Sequence, residues 1–416
     1  QLRQAANAAR TGNWSVPTID THAGIRSQYG AIGPVAVFGP NNFPLAFGSI
    51  SGGDFASAIA AGNPVIAKAN SSHPGTTELF ARCAHQAAQR TGMPAGMVQL
   101  IYRTSHTDGE RLVADARIGA TGYTGSRHAG LQLKAAADAV GKPIYLELSS
   151  VNPIVILPQA MEQHHEEIAT EFTGSCLMGT GQFCTNPGLV VVLKSDATDS
   201  FIAALSEQFA EAPVGTLLSS GVESSLESNL EILVNAGAEI VVGNTPADSN
   251  RYCYANTLLK VTAQQFIADP ETMQTEAFGN SSLLVVTESM DEVNAVIACF
   301  EGNLTGCIYS ATDGSDDAAY DQIAANLQSK VGRMLNDKMP TGVAVSAAMN
   351  HGGPFPATGH PGFTAVGIPG SLLRFAMLQC YDNVRHDRLP ASLRDENLNG
   401  ELWRCVDGNW TQENIS

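Results

Sequence analysis

Cys184 stands directly after Gly179-Thr180-Gly181-Gln182-Phe183. A thiolate adds readily to a carbonyl carbon and leaves well from a thioester. A glycine-rich turn beside it can aim backbone amides at the oxyanion formed in such an addition. Taken by itself, the segment reads equally as a buried cysteine after a helix. Glu147 closes the run Ile144-Tyr145-Leu146-Glu147. An ionised carboxylate in an otherwise apolar strand is costly to bury, which is the setting in which a carboxylate becomes a general base near neutrality. An exposed carboxylate at a strand end is the plainer reading of that residue alone. Asn42, in Asn41-Asn42-Phe43-Pro44, offers a side-chain amide that can donate to a developing oxyanion. An Asx turn before the proline is the plainer reading of that segment alone.

Two further segments carry charge or donors suited to phosphate. Lys68 ends Val65-Ile66-Ala67-Lys68, where its ammonium can meet a ribose or a phosphate, or simply be solvated. Gly122-Tyr123-Thr124-Gly125-Ser126 opens a helix whose N-terminus can face a pyrophosphate. The segment is not the Gly-x-Gly-x-x-Gly fingerprint.

These residues need a scaffold, and the apolar pattern supplies one. Residues 34–39 form a short apolar run closed by glycine and proline, as a buried parallel strand would. A helix over 47–61, a strand over 64–68, a helix over 76–91, strands over 97–101 and 118–121, a helix over 128–140 and a strand over 144–148 follow. Strand and helix alternate through short connections, which predicts an open parallel α/β sheet covered on both faces. Such sheets bind ligands at the carboxyl ends of their strands. The alternation restarts after about residue 150, with strands over 153–157, 189–193, 239–242 and 282–286 and a helix over 162–177. A second α/β domain is therefore expected, as is usual for 416 residues. Residues 349–370 are rich in glycine and proline and read as an ordered loop.

The formal charge of −17 repels nucleic acid and anionic lipid, so neither is an expected partner. The eight cysteines show no CxxC pair and no cysteine–histidine cluster with zinc spacing, so no metal site is expected and most thiols read as buried and reduced. No segment is apolar and long enough to span a bilayer. The beginning of the chain is not a signal peptide, and a cytoplasmic location is the simplest expectation.

Taken together, the segments resemble the aldehyde dehydrogenase superfamily over nearly the whole chain. The resemblance rests on Gly39-Pro40-Asn41-Asn42-Phe43-Pro44, Lys68, Tyr123-Thr124-Gly125-Ser126 with Gly130, Glu147-Leu148, Gly181-Gln182-Phe183-Cys184-Thr185 and Glu276-Ala277-Phe278-Gly279, all in the expected order. It implies a Rossmann-like cofactor domain, an α/β catalytic domain and a small oligomerisation hairpin. It implies Cys184 as nucleophile, Asn42 with the Cys184 amide as oxyanion hole, and Glu147 as the base that activates the hydrolytic water. Lys68 would bind the adenosine ribose, and Gly125, Ser126 and the helix carrying Gly130 would meet the pyrophosphate. Glu276 would hold the nicotinamide ribose and Phe278 would pack near the nicotinamide. The expected domains are 1–14 with 33–149 for the cofactor, 15–32 for the hairpin, 150–360 for catalysis and 361–416 as a C-terminal return segment. The family's N-terminal part is expected to be missing from this sequence. A homodimer or homotetramer is expected.

Departures from the family pattern narrow the branch. Glu147-Leu148 continues as Ser149-Ser150-Val151-Asn152-Pro153, and Asn280 replaces the common proline. Three residues after Lys68, NAD-preferring members often carry a glutamate, whereas here the residue is Ser71. A carboxylate there repels a 2′-phosphate and a serine can donate to one, so NADP is expected, with NAD as the other cofactor. Arg103 or His106 would assist the phosphate. These features, with His73-Pro74-Gly75-Thr76, Cys184-Thr185-Asn186-Pro187-Gly188 and His351-Gly352-Gly353-Pro354-Phe355-Pro356-Ala357-Thr358, resemble the 2,5-dioxovalerate (α-ketoglutarate semialdehyde) dehydrogenases and the NADP-dependent fatty aldehyde dehydrogenase of luminous bacteria. The expected reaction is hydrolytic oxidation of 2,5-dioxovalerate to the acid. The alternatives are a broad-specificity or long-chain aldehyde substrate, acyl transfer to coenzyme A, and a binding protein without turnover.

Overall fold

The computed structural model describes residues 1–397 and 400–415. The chain divides into two compact units, the first built from residues 1–146, 345–350 and 363–416 and the second from 147–344 and 351–362.

The first unit holds two five-stranded sheets. One has the strand order Val98–Ile101, Val65–Lys68, Val35–Phe38, Ala120–Thr124, Ile144–Glu147. Val35–Phe38 is parallel to both Val65–Lys68 and Ala120–Thr124, and Val65–Lys68 is parallel to Val98–Ile101. All four residues of Val35–Phe38 are buried, which is why the run lacks polar alternation. Helices Gly53–Ala60, Pro74–Arg90, His106–Val113 and Arg127–Asp138 connect the strands. The helix expected over 47–61 begins only at Gly53. Gly48 and Gly52 lie too close to the backbone of Pro44 and Phe47 for any side chain, so the chain turns there before it can wind.

The second sheet of this unit has the order Ala376–Asp382, Ile25–Ala31, Thr18–Asp20, Arg404–Val406, Asn409–Thr411. Thr18–Asp20 and Ile25–Ala31 are an antiparallel pair inside the segment expected to form a hairpin. The C-terminal residues add three strands to that pair.

The second unit carries a seven-stranded sheet ordered Glu239–Val242, Thr257–Thr262, Ser281–Thr287, Leu189–Leu193, Ile154–Ile156, Asn303–Tyr309, Val331–Asn336. Only its first strand runs antiparallel to its neighbour. Successive residues serve opposite faces. Ile154, Val190, Leu258 and Leu284 pack with Phe172, Phe201, Leu205 and Phe209 from helices Pro158–Leu177 and Asp196–Glu211. Val155, Val191, Leu259 and Val285 pack with Leu226, Leu230, Val296 and Ile323 from helices Ser220–Asn235, Met290–Ala298 and Asp317–Leu327. Burying each large apolar side chain contributes about 1.5–3 kcal/mol, so both faces hold the strand ends in place.

The partition between the units differs from the expected boundaries at 149/150 and 360/361. Leu148 donates its amide to Ala357 and Glu147 bridges Thr358, which draws 351–362 to the residues after Leu146. Thr364 donates to the carbonyl of Met349, so 345–350 groups with the C-terminal segment.

Candidate active site

Cys184 is brought to its position by a backbone that only certain residues allow. Gly179, Thr180 and Gly181 all have positive φ, at 56°, 59° and 66°. A Cβ on Gly181 would lie 1.9 Å from the carbonyl oxygen of Gly279. Phe183 to Asn186 then form a turn, closed by the Asn186 amide donating to the Phe183 carbonyl at 3.0 Å. The side-chain amide of Asn152 donates to the carbonyls of Cys184 and Asn186 at 3.0 and 2.9 Å. Asn152 itself has φ 47°, a conformation that asparagine tolerates better than most residues. Asn303 Oδ1 accepts from the amides of Val151 and Asn152 and from the Ser150 hydroxyl. Ser150, a departure from the family pattern, is thus part of the buried framework behind the Cys184 loop.

The structure places Glu147 and Cys184 on either side of a third residue, His351. Its Nε2 lies 2.8 Å from Glu147 Oε1 and 3.5 Å from Cys184 Sγ. His351 and Glu147 are almost fully buried and Cys184 is half-buried. Burial is the largest influence on His351 and opposes the imidazolium, but the Glu147 carboxylate and the Cys184 sulfur outweigh it and raise the pKa to about 10. Burial also pushes the Cys184 thiol up, against the stabilising effect of His351 on the thiolate. The second carboxylate oxygen, Glu147 Oε2, is buried with no hydrogen-bond partner among the described residues.

His351 is the residue that sequence reasoning missed as a site member. Its motif, His351-Gly352-Gly353-Pro354, was visible, but nothing in the spacing tied it to a cysteine 167 positions earlier.

Glu276 and Phe278 belong to the same unit. Glu276 Oε1 accepts from the Ser150 amide at 3.3 Å, and its backbone carbonyl accepts from Asn229. With Gly181, Phe183, Asn186 and the half-buried Phe278 they line one cleft.

The remaining residues named from the sequence belong to the first unit. They gather along one edge of its parallel sheet. Asn42 lies in the loop after Val35–Phe38, which is held by Asn70 Nδ2 donating to the Gly39 carbonyl and by His73 Nε2, 3.1 Å from the Pro40 carbonyl oxygen. Lys68 ends the neighbouring strand, and burial followed by the charge of Arg103 lowers its pKa. Ser71 is exposed in the turn that follows. His106 begins helix His106–Val113. Ser126 caps helix Arg127–Asp138 by accepting from the Ala129 amide. Gly130 is buried in that helix, and Gly125 leaves room for the Tyr123 hydroxyl to donate to the Ser126 carbonyl. Two cations, an exposed serine and a capped helix N-terminus at the carboxyl edge of a parallel sheet suit the ribose and phosphates of a dinucleotide.

Residues 1–353 match the model of the aldehyde dehydrogenase family. The chain belongs to the aldehyde dehydrogenase family. It is an oxidoreductase that acts on aldehydes with NAD or NADP. α-Ketoglutaric semialdehyde dehydrogenase 2 of Azospirillum brasilense is 38% identical over 408 residues, 95% of this chain and 77% of that one. The α-ketoglutaric semialdehyde dehydrogenase of Acinetobacter baylyi is 35% identical over 423 residues, 99% of this chain and 79% of that one. Among solved structures, lactaldehyde dehydrogenase from Escherichia coli superposes with a TM-score of 0.76 at 20% identity, covering 91% of this chain and 76% of that one. It shares the fold. Among the described residues, no helix is long and apolar enough to cross a membrane.

Proposed function

We propose that this aldehyde dehydrogenase oxidises α-ketoglutaric semialdehyde to its acid through a thioester on Cys184. The observation that carries the mechanism is the His351 imidazole held between Glu147 and Cys184. Loss of the Cys184 proton to solvent leaves a thiolate paired with the His351 imidazolium, and Glu147 fixes that imidazolium in place. The thiolate adds to the aldehyde carbon. The oxyanion draws on the Cys184 amide and, from the family pattern, on the Asn42 side chain.

NADP or NAD, when bound, supplies the hydride acceptor that the oxidation needs. Lys68, Ser71, Gly125, Ser126 and Gly130 would hold its adenosine and phosphate end, and Glu276 and Phe278 its nicotinamide end. The Arg103 charge beside Lys68 supports NADP. Once hydride has left the carbon, Glu147 Oε2 takes a proton from water, and the resulting hydroxide cleaves the thioester. A glutamate at this place supports hydrolysis over transfer to coenzyme A.

The substrate reading is supported by two relatives above 30% identity, both named for α-ketoglutaric semialdehyde. The exposed Met377 and Leu378 on the strand Ala376–Asp382 support a homo-oligomer. A nicotinamide dinucleotide is supplied inside the cell, so we place the protein in the cytoplasm.

The test is the reduction of NADP and NAD with α-ketoglutaric semialdehyde and with a long-chain aldehyde, for the wild type and Cys184→Ala. Turnover favouring the semialdehyde, and lost in the variant, is expected. Turnover with the long-chain aldehyde alone would overturn the substrate, and no turnover with either would overturn the catalytic reading.

A further inference from the structure

We infer that Cys184, His351 and Glu147 form a binding site for Zn²⁺, or a divalent cation of similar softness, and that its occupancy blocks the nucleophile. The binding half stands on geometry alone, whereas the blocking half rests on the reading of Cys184 as the nucleophile.

The three side chains each present one donor atom, and the three atoms lie within 4.8 Å of one another. No other group of three cysteine, histidine or acidic side chains among the described residues meets that condition. Zinc holds sulfur at about 2.3 Å and imidazole nitrogen at about 2.0 Å in a tetrahedron, which sets the two ligand atoms about 3.5 Å apart. Cys184 Sγ and His351 Nε2 are 3.5 Å apart. The cation would therefore replace the proton on Nε2 without moving either residue far. The 2.8 Å between Nε2 and Glu147 Oε1 is shorter than the roughly 3.3 Å that two zinc-bound light atoms need. Glu147 must retreat by about half an ångström or present its other oxygen. That other oxygen, Oε2, is buried and lacks a hydrogen-bond partner among the described residues, so a cation would satisfy it.

The donor set also decides which cation. One thiolate, one imidazole and one carboxylate suit zinc and its soft neighbours, whereas magnesium and calcium require oxygen ligands throughout. Three protein ligands leave a fourth position for water. Access comes from the side of half-buried Cys184, since the other two ligands are enclosed. Occupied, the site ties up the sulfur lone pair that would attack an aldehyde.

The experiment titrates metal-free protein with Co²⁺, whose thiolate complexes absorb in the near ultraviolet, and with Zn²⁺ as competitor. One equivalent of Co²⁺ is expected to produce the charge-transfer band, and Zn²⁺ to remove it. The band is expected to vanish in Cys184→Ala and in wild-type protein first alkylated with iodoacetamide, a control that needs no variant. His351→Gln is expected to weaken binding at least tenfold, and Cys380→Ser, at an exposed strand cysteine, to leave it unchanged. Absence of the band in the wild type, or its persistence in Cys184→Ala, would overturn the site. Binding that leaves aldehyde oxidation unaffected would overturn the blocking role while leaving the site in place.

Discussion

The side-chain amide of Asn152 donates to the carbonyl oxygen of Cys184 at 3.0 Å. The same amide reaches the carbonyl of Asn186 at 2.9 Å, so one buried residue pins the backbone at Cys184 and just beyond it. Its own Oδ1 accepts from the hydroxyls of Ser150 and Thr305. Replacing it with alanine leaves three carbonyls (those of Ser150, Cys184 and Asn186) and two hydroxyls without this partner and places a Cβ-bearing residue without a local hydrogen bond at φ 47°. Each unsatisfied buried group costs about 1–3 kcal/mol. Asn152→Ala is therefore expected to lower unfolding stability by about 3 kcal/mol or more in urea denaturation. Asn152→Gly removes the backbone strain but not the lost bonds, and is expected to recover only about 1 kcal/mol of that loss. Equal stability of wild type and Asn152→Ala would show that the network does not hold the loop.

Gly181 makes a second demand on the same loop. Any side chain there meets the Gly279 carbonyl oxygen and must accept φ 66°. Gly181→Ala is expected to cost about 3 kcal/mol or more. Cys184 modification by a thiol reagent should then become faster in the folded variant, because the loop no longer holds the sulfur against His351. A melting temperature within a degree of wild type would contradict this.

Much of this arrangement was legible in the sequence. The strands Val35–Phe38 and Leu189–Leu193 stood out because a strand buried on both faces leaves an unbroken apolar run, and Val65–Lys68 and Ile144–Glu147 because in each three apolar residues follow a proline. The Gly179–Cys184 segment stood out because glycines mark backbone that other residues resist. The strands Arg404–Val406 and Asn409–Thr411 did not, since three residues apiece leave no period to read. His351 was hidden for a different reason. Its partners lie 204 and 167 positions away, and only the folded second unit brings the three together.

The raised pKa of His351 makes stability depend on pH in a definite direction. Unfolded, the imidazole titrates near 6.5, and folded near 10. Between these values the folded chain holds a proton that the unfolded chain has released. The stabilisation is full below about pH 6.5 and is lost as the pH rises towards 10. The buried Cys184 thiol, also shifted upward, acts in the same sense at the alkaline end. His351→Gln is expected to flatten the decline between pH 7 and 9, by at most about 1.4 kcal/mol per pH unit. Parallel wild-type and His351→Gln curves in that window would show that His351 is not the proton holder.

Lys68 and Arg103 place two positive charges near the carboxyl edge of the first unit's parallel sheet, with Ser71 following Lys68. A charge-assisted hydrogen bond contributes about 1.5–3 kcal/mol. Lys68→Ala is expected to raise KM for NADP about tenfold or more. Arg103→Ala is expected to raise KM for NADP and spare NAD, because only the former carries a 2′-phosphate. Ser71→Glu is expected to shift the preference towards NAD by charge repulsion. Equal effects on both cofactors would remove the 2′-phosphate from the reading.

Glu147 carries two duties that one substitution can separate. Oε1 meets His351 Nε2, while Oε2 is the oxygen proposed to take the proton from water. Glu147→Gln keeps the shape and removes the charge. Thioester formation needs Cys184 and the bound cofactor as hydride acceptor but no activated water, so a first-turnover burst of cofactor reduction is expected to survive. Steady turnover is expected to fall by about 10²–10⁴, the usual contribution of a general base. The His351 pKa is expected to drop as well, since the Glu147 carboxylate is the strongest of the influences raising it. Rapid-mixing absorbance and a pH profile of the burst read the two effects separately. Loss of the burst together with turnover would mean that Glu147 acts on the nucleophile rather than on water. An unchanged burst profile with slow turnover would assign it to hydrolysis alone.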